Sequence, residues 1–126
     1  MIAQVYVNTT NLNIDKPFDY AVPVGMEDKI LPGVRVKVPF GGGNLPKEAF
    51  VTEIKERSDF GTLKPIRSVT DEFPVLSKRG IELCFHMRER YFCTFSEAVC
   101  RLHSIIEAEN CVMARNYNFI KEEFIK

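Results

Sequence analysis

The stretch Pro32-Gly33-Val34-Arg35-Val36-Lys37-Val38-Pro39-Phe40-Gly41 decides the fold. Val34, Val36, Val38 and Phe40 alternate with Arg35, Lys37 and Pro39. A period of two puts the first set on a buried face and the second on the opposite face of one strand. Pro32-Gly33 marks a turn before this strand, and Gly41-Gly42-Gly43-Asn44 marks a hairpin turn after it. That glycine run is not a phosphate loop, because no Lys-Ser/Thr and no helix start follow it.

Working outward, Ile2 to Val7 is rich in β-branched and aromatic residues, and Pro17 to Val22 sets Phe18, Tyr20 and Val22 against Asp19 and Ala21. Downstream, Phe50, Thr52 and Ile54 suggest a fourth strand, and Gly42 to Ala49 reads as a loose glycine-rich insert before it. Leu63 to Val69 suggests a fifth strand, which Pro65 places at an edge or a strand end. Short strands at this spacing favour a small barrel or sandwich. From about residue 77 the period changes. Ser77 can cap a helix carrying Ile81, Cys84, Phe85 and Tyr91 on one face, and Ser96 can cap a second, with Val99, Leu102, Ile105, Ile106, Val112 and Met113. The segment from Cys93 to Ser96 then serves as a joint between helices. Tyr117, Ile120 and Phe124 share one side of a third helix or of an extension of the second. The expected class is α+β: a β-barrel-like subdomain over residues 1–72, then a helical subdomain over 73–126.

Composition narrows the function classes. The 126 residues carry 17 basic and 17 acidic side chains, with a charge of +0. Affinity for long duplex comes from counterion release by clustered cations, so a neutral chain suits it poorly. A neutral domain can still read a nucleic-acid end through stacking and a few hydrogen bonds. Cys84, Cys93, Cys100 and Cys111 form no C-x-x-C pair and are expected to be buried, reduced thiols. His86 and His103 stand seventeen residues apart, with no second histidine at helical spacing to complete a metal pair, so neither a metal nor a cofactor is expected. No apolar run approaches a membrane span and no secretory pattern opens the chain, which points to the cytoplasm. Neither a nucleophile elbow nor a G-x-x-x-x-G-K-[ST] loop occurs, so no enzymatic activity is expected.

Three segments, in order, resemble the N-terminal DNA-binding domain of the PriA (primosomal protein N′) family. They are Lys16-Pro17-Phe18-Asp19-Tyr20 with Pro23 and Gly25 after it, the Pro32–Gly41 run, and Arg90-Tyr91-Phe92-Cys93-Thr94-Phe95-Ser96-Glu97-Ala98. Leu63-Lys64-Pro65-Ile66 adds a fourth fragment, and the resemblance covers residues 2 to about 100. It implies a module of the replication-restart primosome that recognises the 3′ end of a nascent DNA strand at a fork, without a motor of its own. It also implies a terminal-nucleotide pocket made by Phe18, Asp19 and Tyr20, with Gly41 and Lys64 beside it. Residues 103–126 fall outside the resemblance and do not look like the start of the family's next domain, which favours a short stand-alone paralogue over an excised domain.

The chemistry of those residues is coherent. Aromatic faces stack on any base. A carboxylate repels phosphate, but it can accept a hydrogen bond from a terminal hydroxyl or a base amine. Glycine lets a ligand approach the backbone, and Lys64 would balance the nearest phosphate. The residues also allow plainer readings. Spacing alone makes Phe18 and Tyr20 core residues, and Asp19 a solvated strand residue or turn acceptor. Arg35 and Lys37, roughly 7 Å apart on a strand, match either backbone phosphates or a solvated face. The alternative function is a degenerate paralogue that docks on other replication proteins. Self-association through the C-terminal helix would accompany an apolar tail.

Overall fold

In a computed structural model, the structure describes residues 1–57 and 61–112, with side chains through residue 104 apart from the same gap. Five strands form one antiparallel sheet: β1 (Ile2–Val7), β2 (Phe18–Ala21), β3 (Arg35–Phe40), β4 (Leu45–Lys55) and β5 (Ser68–Val69). Their order in space is β2-β1-β4-β3-β5. Two helices follow, α1 (Lys78–Tyr91) and α2 (Phe95–Val112). The class is therefore α+β. The sheet is not a closed barrel, because β2 and β5 remain its two ends in the ladder.

The period-two pattern of β3 sorts as expected, with Val36 and Val38 fully buried and Lys37 exposed. They join Ala3, Val5, Val7, Tyr20, Val34, Ala49, Val51 and Ile66 in the core beneath one face of the sheet. Two expectations need correction. The glycine-rich insert is mostly strand, since β4 begins at Leu45 and pairs Lys47 with Val38 and Pro46 with Pro39. Its polar beginning hides a hairpin arm whose backbone bonds, not apolar side chains, define it. The fifth strand shrinks to Ser68–Val69, and the described chain ahead of it pairs with β2 through an isolated bridge from Ala21 to Pro65.

The opposite face, through Tyr6 and Phe50, carries the helices. These two residues oppose each other across β1 and β4 and meet Phe95 at centroid distances of 5.3 and 5.9 Å. Leu76, Ile81, Cys84, Val99 and Leu102 complete this second core. Ser77 caps α1 by accepting from the Gly80 amide, and Phe92 ends it in the left-handed conformation at φ 51°. Tyr91 is not on the buried face but exposed. The cap of α2 is Thr94 rather than Ser96. Thr94 Oγ1 accepts from the Glu97 amide, and the Glu97 carboxylate accepts from the Thr94 amide, a reciprocal capping box. Ser96 Oγ instead bonds the backbone of Thr9 at both its N–H and its carbonyl. Cys84 and Cys93 are buried, but Cys100 is exposed, which corrects the expectation that all the thiols are buried. The side chains of Ile105, Ile106, Cys111 and Val112, and all of Met113, Tyr117, Ile120 and Phe124, lie outside the described residues.

Candidate nucleic-acid interface

β2 is an edge strand in the ladder, and the segment before β5 runs beside it. The Ala21 amide donates to the Lys64 carbonyl at 2.9 Å, and the Ile66 amide donates to the Ala21 carbonyl at 3.1 Å. This pairing brings Thr62, Leu63 and Lys64 next to Phe18, Asp19 and Tyr20 and leaves a pocket of about 270 Å³ between them. Phe40 and Gly41, at the end of β3, close its remaining side. All five residues named from sequence therefore line one concavity, Phe18, Asp19, Tyr20, Gly41 and Lys64. Sequence reasoning missed Phe40, Thr62 and Leu63. Phe40 stood among the alternating core positions, and its place at the strand end, next to the turn, was the available signal.

The aromatic groups differ in what they offer. Tyr20 is 5% exposed and its hydroxyl donates to the Pro39 carbonyl at 2.9 Å, so it is a wall. Burial pushes its phenol above the ordinary value. Phe18 is half-buried and meets the Phe40 ring edge-on, with centroids 5.3 Å apart and planes at 87°. Lys16 Nζ lies 5.7 Å from the Phe18 centroid, and Lys47 Nζ lies 5.7 Å from that of Phe40.

Asp19 projects from the other side of β2. Lys55 Nζ reaches across β1 to its carboxylate at 3.0 Å, and only 5% of the Asp19 side chain is exposed. The carboxylate is thus held by an ion pair rather than solvated. Lys64 Nζ donates to the Gly41 carbonyl at 3.2 Å, bridging the pocket rim to the β3–β4 turn. A Cβ built on Gly41 would meet nothing within 4 Å, so the backbone there is open to approach.

Arg35 is committed elsewhere. Its guanidinium forks onto Asp71, with Nη2 2.7 Å from Oδ1 and Nε 3.0 Å from Oδ2, so it belongs to a structural pair and not to a phosphate site. Lys37 is exposed, opposite Glu48 in the β3–β4 register. A larger concavity of about 940 Å³ lies between the helices, lined by Leu83, His86, Met87, Arg90 and Arg101 among others, and includes none of the five pocket residues. His103 Nε2 lies 3.2 Å from the Val75 carbonyl. Among the described residues no group of three or more His, Cys, Asp or Glu is placed to hold a metal ion. Among them, too, no helix is long and apolar enough to cross a membrane.

Residues 4–102 match the family model of the PriA 3′DNA-binding domain (3′BD). The chain is 33% identical over 108 residues to the replication restart protein PriA of Bacillus subtilis, which covers 84% of this chain and 13% of the relative. It is 36% identical over 97 residues to PriA of Chlamydia muridarum, covering 74% of this chain and 12% of the relative. PriA of Chlamydia trachomatis is 31% identical over 128 residues, covering 92% of this chain and 17% of the relative. The chain thus spans less than a fifth of the length of these curated relatives, and the family model it matches describes a DNA-binding domain. The sequence belongs to the PriA 3′DNA-binding domain (3′BD) family.

Proposed function

We propose that this domain reads the free 3′ end of a DNA strand in the pocket between β2 and residues 62–64, and that it does so in replication restart. One observation carries the reading: Asp19, whose carboxylate is pinned by Lys55, lines the same small pocket as a half-buried phenylalanine and a lysine. At about 270 Å³ the pocket lies at the small end of ligand sites, suited to one terminal unit and not to a duplex. Phe18 supplies a face for the last base, a contact worth roughly 1–3 kcal/mol. Asp19 accepts from the terminal hydroxyl, and its charge opposes any phosphate that would continue the chain there. Lys64 offsets the preceding phosphate, and Gly41 lets the sugar come close to the backbone. The domain contributes recognition only. Chemistry and translocation belong to other parts of the restart machinery, whose proteins are its further partners.

The test compares single strands ending in a 3′-hydroxyl and a 3′-phosphate, read by fluorescence anisotropy. The wild type should prefer the hydroxyl, and Asp19→Asn should bind the two ends alike while keeping its circular dichroism. A wild type indifferent to the terminal group overturns the reading.

A further inference from the structure

Two groups stand out among the cations of the described β-rich half, which also include Lys29, Lys37 and Arg57. Arg35 and Lys55 are spent on carboxylates, Asp71 and Asp19. Lys16, Lys47, Lys64 and Arg67 have no carboxylate partner among the described residues. They sit instead on ring faces or backbone carbonyls around the pocket and the β3–β4 turn. Lys47 lies over the Phe40 ring, Lys64 bonds the Gly41 carbonyl, and Arg67 Nη2 donates to the Asn44 carbonyl at 2.8 Å. The neutral overall charge therefore conceals a local positive rim.

Between Lys64 and the pair formed by Lys47 and Arg67 lies the turn Gly41-Gly42-Gly43-Asn44. Gly41 at φ +75° and Asn44 at φ 51° take the left-handed conformations that reverse the chain. Gly42 does not need glycine for its backbone, and a Cβ there would meet nothing within 4 Å. Bare backbone next to a ring and flanked by cations is a surface over which a phosphodiester chain can pass at close range.

We infer that the β3–β4 turn is a second nucleic-acid subsite, on which Lys47 and Arg67 hold the internal phosphates of a single strand as it leaves the terminal pocket across Gly41–Gly43. Its ligand class is the single-stranded phosphodiester backbone, read without base specificity, and the strand runs from the pocket over Phe40 toward Lys47. The inference deepens the 3′-end reading and rests on it for the position of the strand's end. It assigns the glycine run, which the terminal pocket uses only at Gly41, a reason to be bare.

The experiment measures binding of a dinucleotide and of an octanucleotide, both with 3′-hydroxyls, over a range of salt concentrations. Lys47→Gln and Arg67→Gln should each weaken the octanucleotide about fivefold near 0.1 M salt and make its log K against log salt slope shallower by about 0.7. Dinucleotide binding should stay unchanged in both. Gly42→Val should weaken the octanucleotide alone, with an unchanged melting temperature. Lys78→Gln, at the start of α1, serves as the control and should change neither ligand. Lys47→Gln decides the matter, because Lys47 sits over a ring and its replacement breaks no tie of the turn. If that variant keeps both octanucleotide affinity and slope, the track does not exist. An octanucleotide ending in a 3′-phosphate separates the two readings. If the wild type binds it as well as the hydroxyl form and Lys47→Gln still loses affinity, the end pocket fails and the track stands.

Discussion

Asp15 and Arg88, 73 residues apart, join the loop that enters β2 to the first helix. The Asp15 carboxylate is buried. It accepts from Arg88 Nε and also from the Phe95 amide at 3.1 Å, where α2 begins. Arg88 returns a second bond to the Asp15 carbonyl and lies 5.6 Å over the Tyr6 ring. The hydrogen bond that Arg88 donates to the Asp15 carboxylate lifts the guanidinium above its ordinary value against the opposing effect of burial. One carboxylate thereby fixes the loop to both helices, three residues before Phe18.

Asp15→Ala should accordingly be among the most damaging single changes outside the pocket. Removing one member of a buried pair costs about 3–5 kcal/mol. Arg88 is 31% exposed and can turn to water, which places the loss near the lower figure. Urea unfolding should show the midpoint falling with an unchanged slope. A midpoint within error of the wild type would remove Asp15 from the joint.

The fold was legible where side-chain period does the work. Val34, Val36 and Val38 announce β3 because one face is wholly buried, and Ser77 announces α1 because a cap is a local contact. Leu45 to Glu48 was not legible as strand, since its pairing with β3 comes from the turn and not from apolar residues. Asp15 left no trace, because an ion pair across so long a stretch has no spacing to read. Thr94 was readable, as Thr94-Phe95-Ser96-Glu97 spells a capping box that starts two residues before the serine expected to cap α2. The pocket was legible only through the family resemblance, because strand period alone assigns Phe18 and Tyr20 to the core.

Gly33 and Gly42 should differ sharply in their tolerance of alanine. Gly33 has φ +97°, and a Cβ there would fall 2.0 Å from the Leu76 carbonyl oxygen. Its own carbonyl accepts from Val75 at 2.9 Å, and its amide donates to Val51 at 2.8 Å, so neither neighbour can withdraw cheaply. Gly33→Ala should lose about 3 kcal/mol or more, whereas Gly42→Ala should stay within about 0.5 kcal/mol. Thermal melts of the two variants side by side check this, and equal melting temperatures would contradict it.

The Arg35–Asp71 pair should shape acid stability. Burial pushes the Asp71 carboxyl up, but hydrogen bonds from the Arg35 side chain and backbone, with its charge, bring it below the ordinary value. A depressed carboxylate contributes stability that is present above its unfolded value, about 3.9, and is lost as pH falls through the lower folded value. Arg35→Gln should therefore be less stable at neutral pH and show a weaker fall in stability below about pH 4. Urea midpoints at a series of pH values read both effects. Parallel curves for variant and wild type would mean that the pair does not report on acid unfolding.

The thiols should separate by reactivity. Cys84 is fully buried, and burial, with a smaller contribution from nearby Cys93, pushes its thiol up to about 12. Since the thiolate is the nucleophile, Cys84 is protected both by access and by charge. Cys93 is 7% exposed, while Cys100 is exposed on α2. In a Cys111→Ser background at about pH 8, an aromatic disulfide reagent should label one thiol quickly, and Cys100→Ser should abolish that phase. The other two should react only as the second core opens, at a rate that rises with urea. Fast labelling of Cys84 in the folded protein would show that the packing of α1 against Tyr6 and Phe95 is looser than its ring contacts imply.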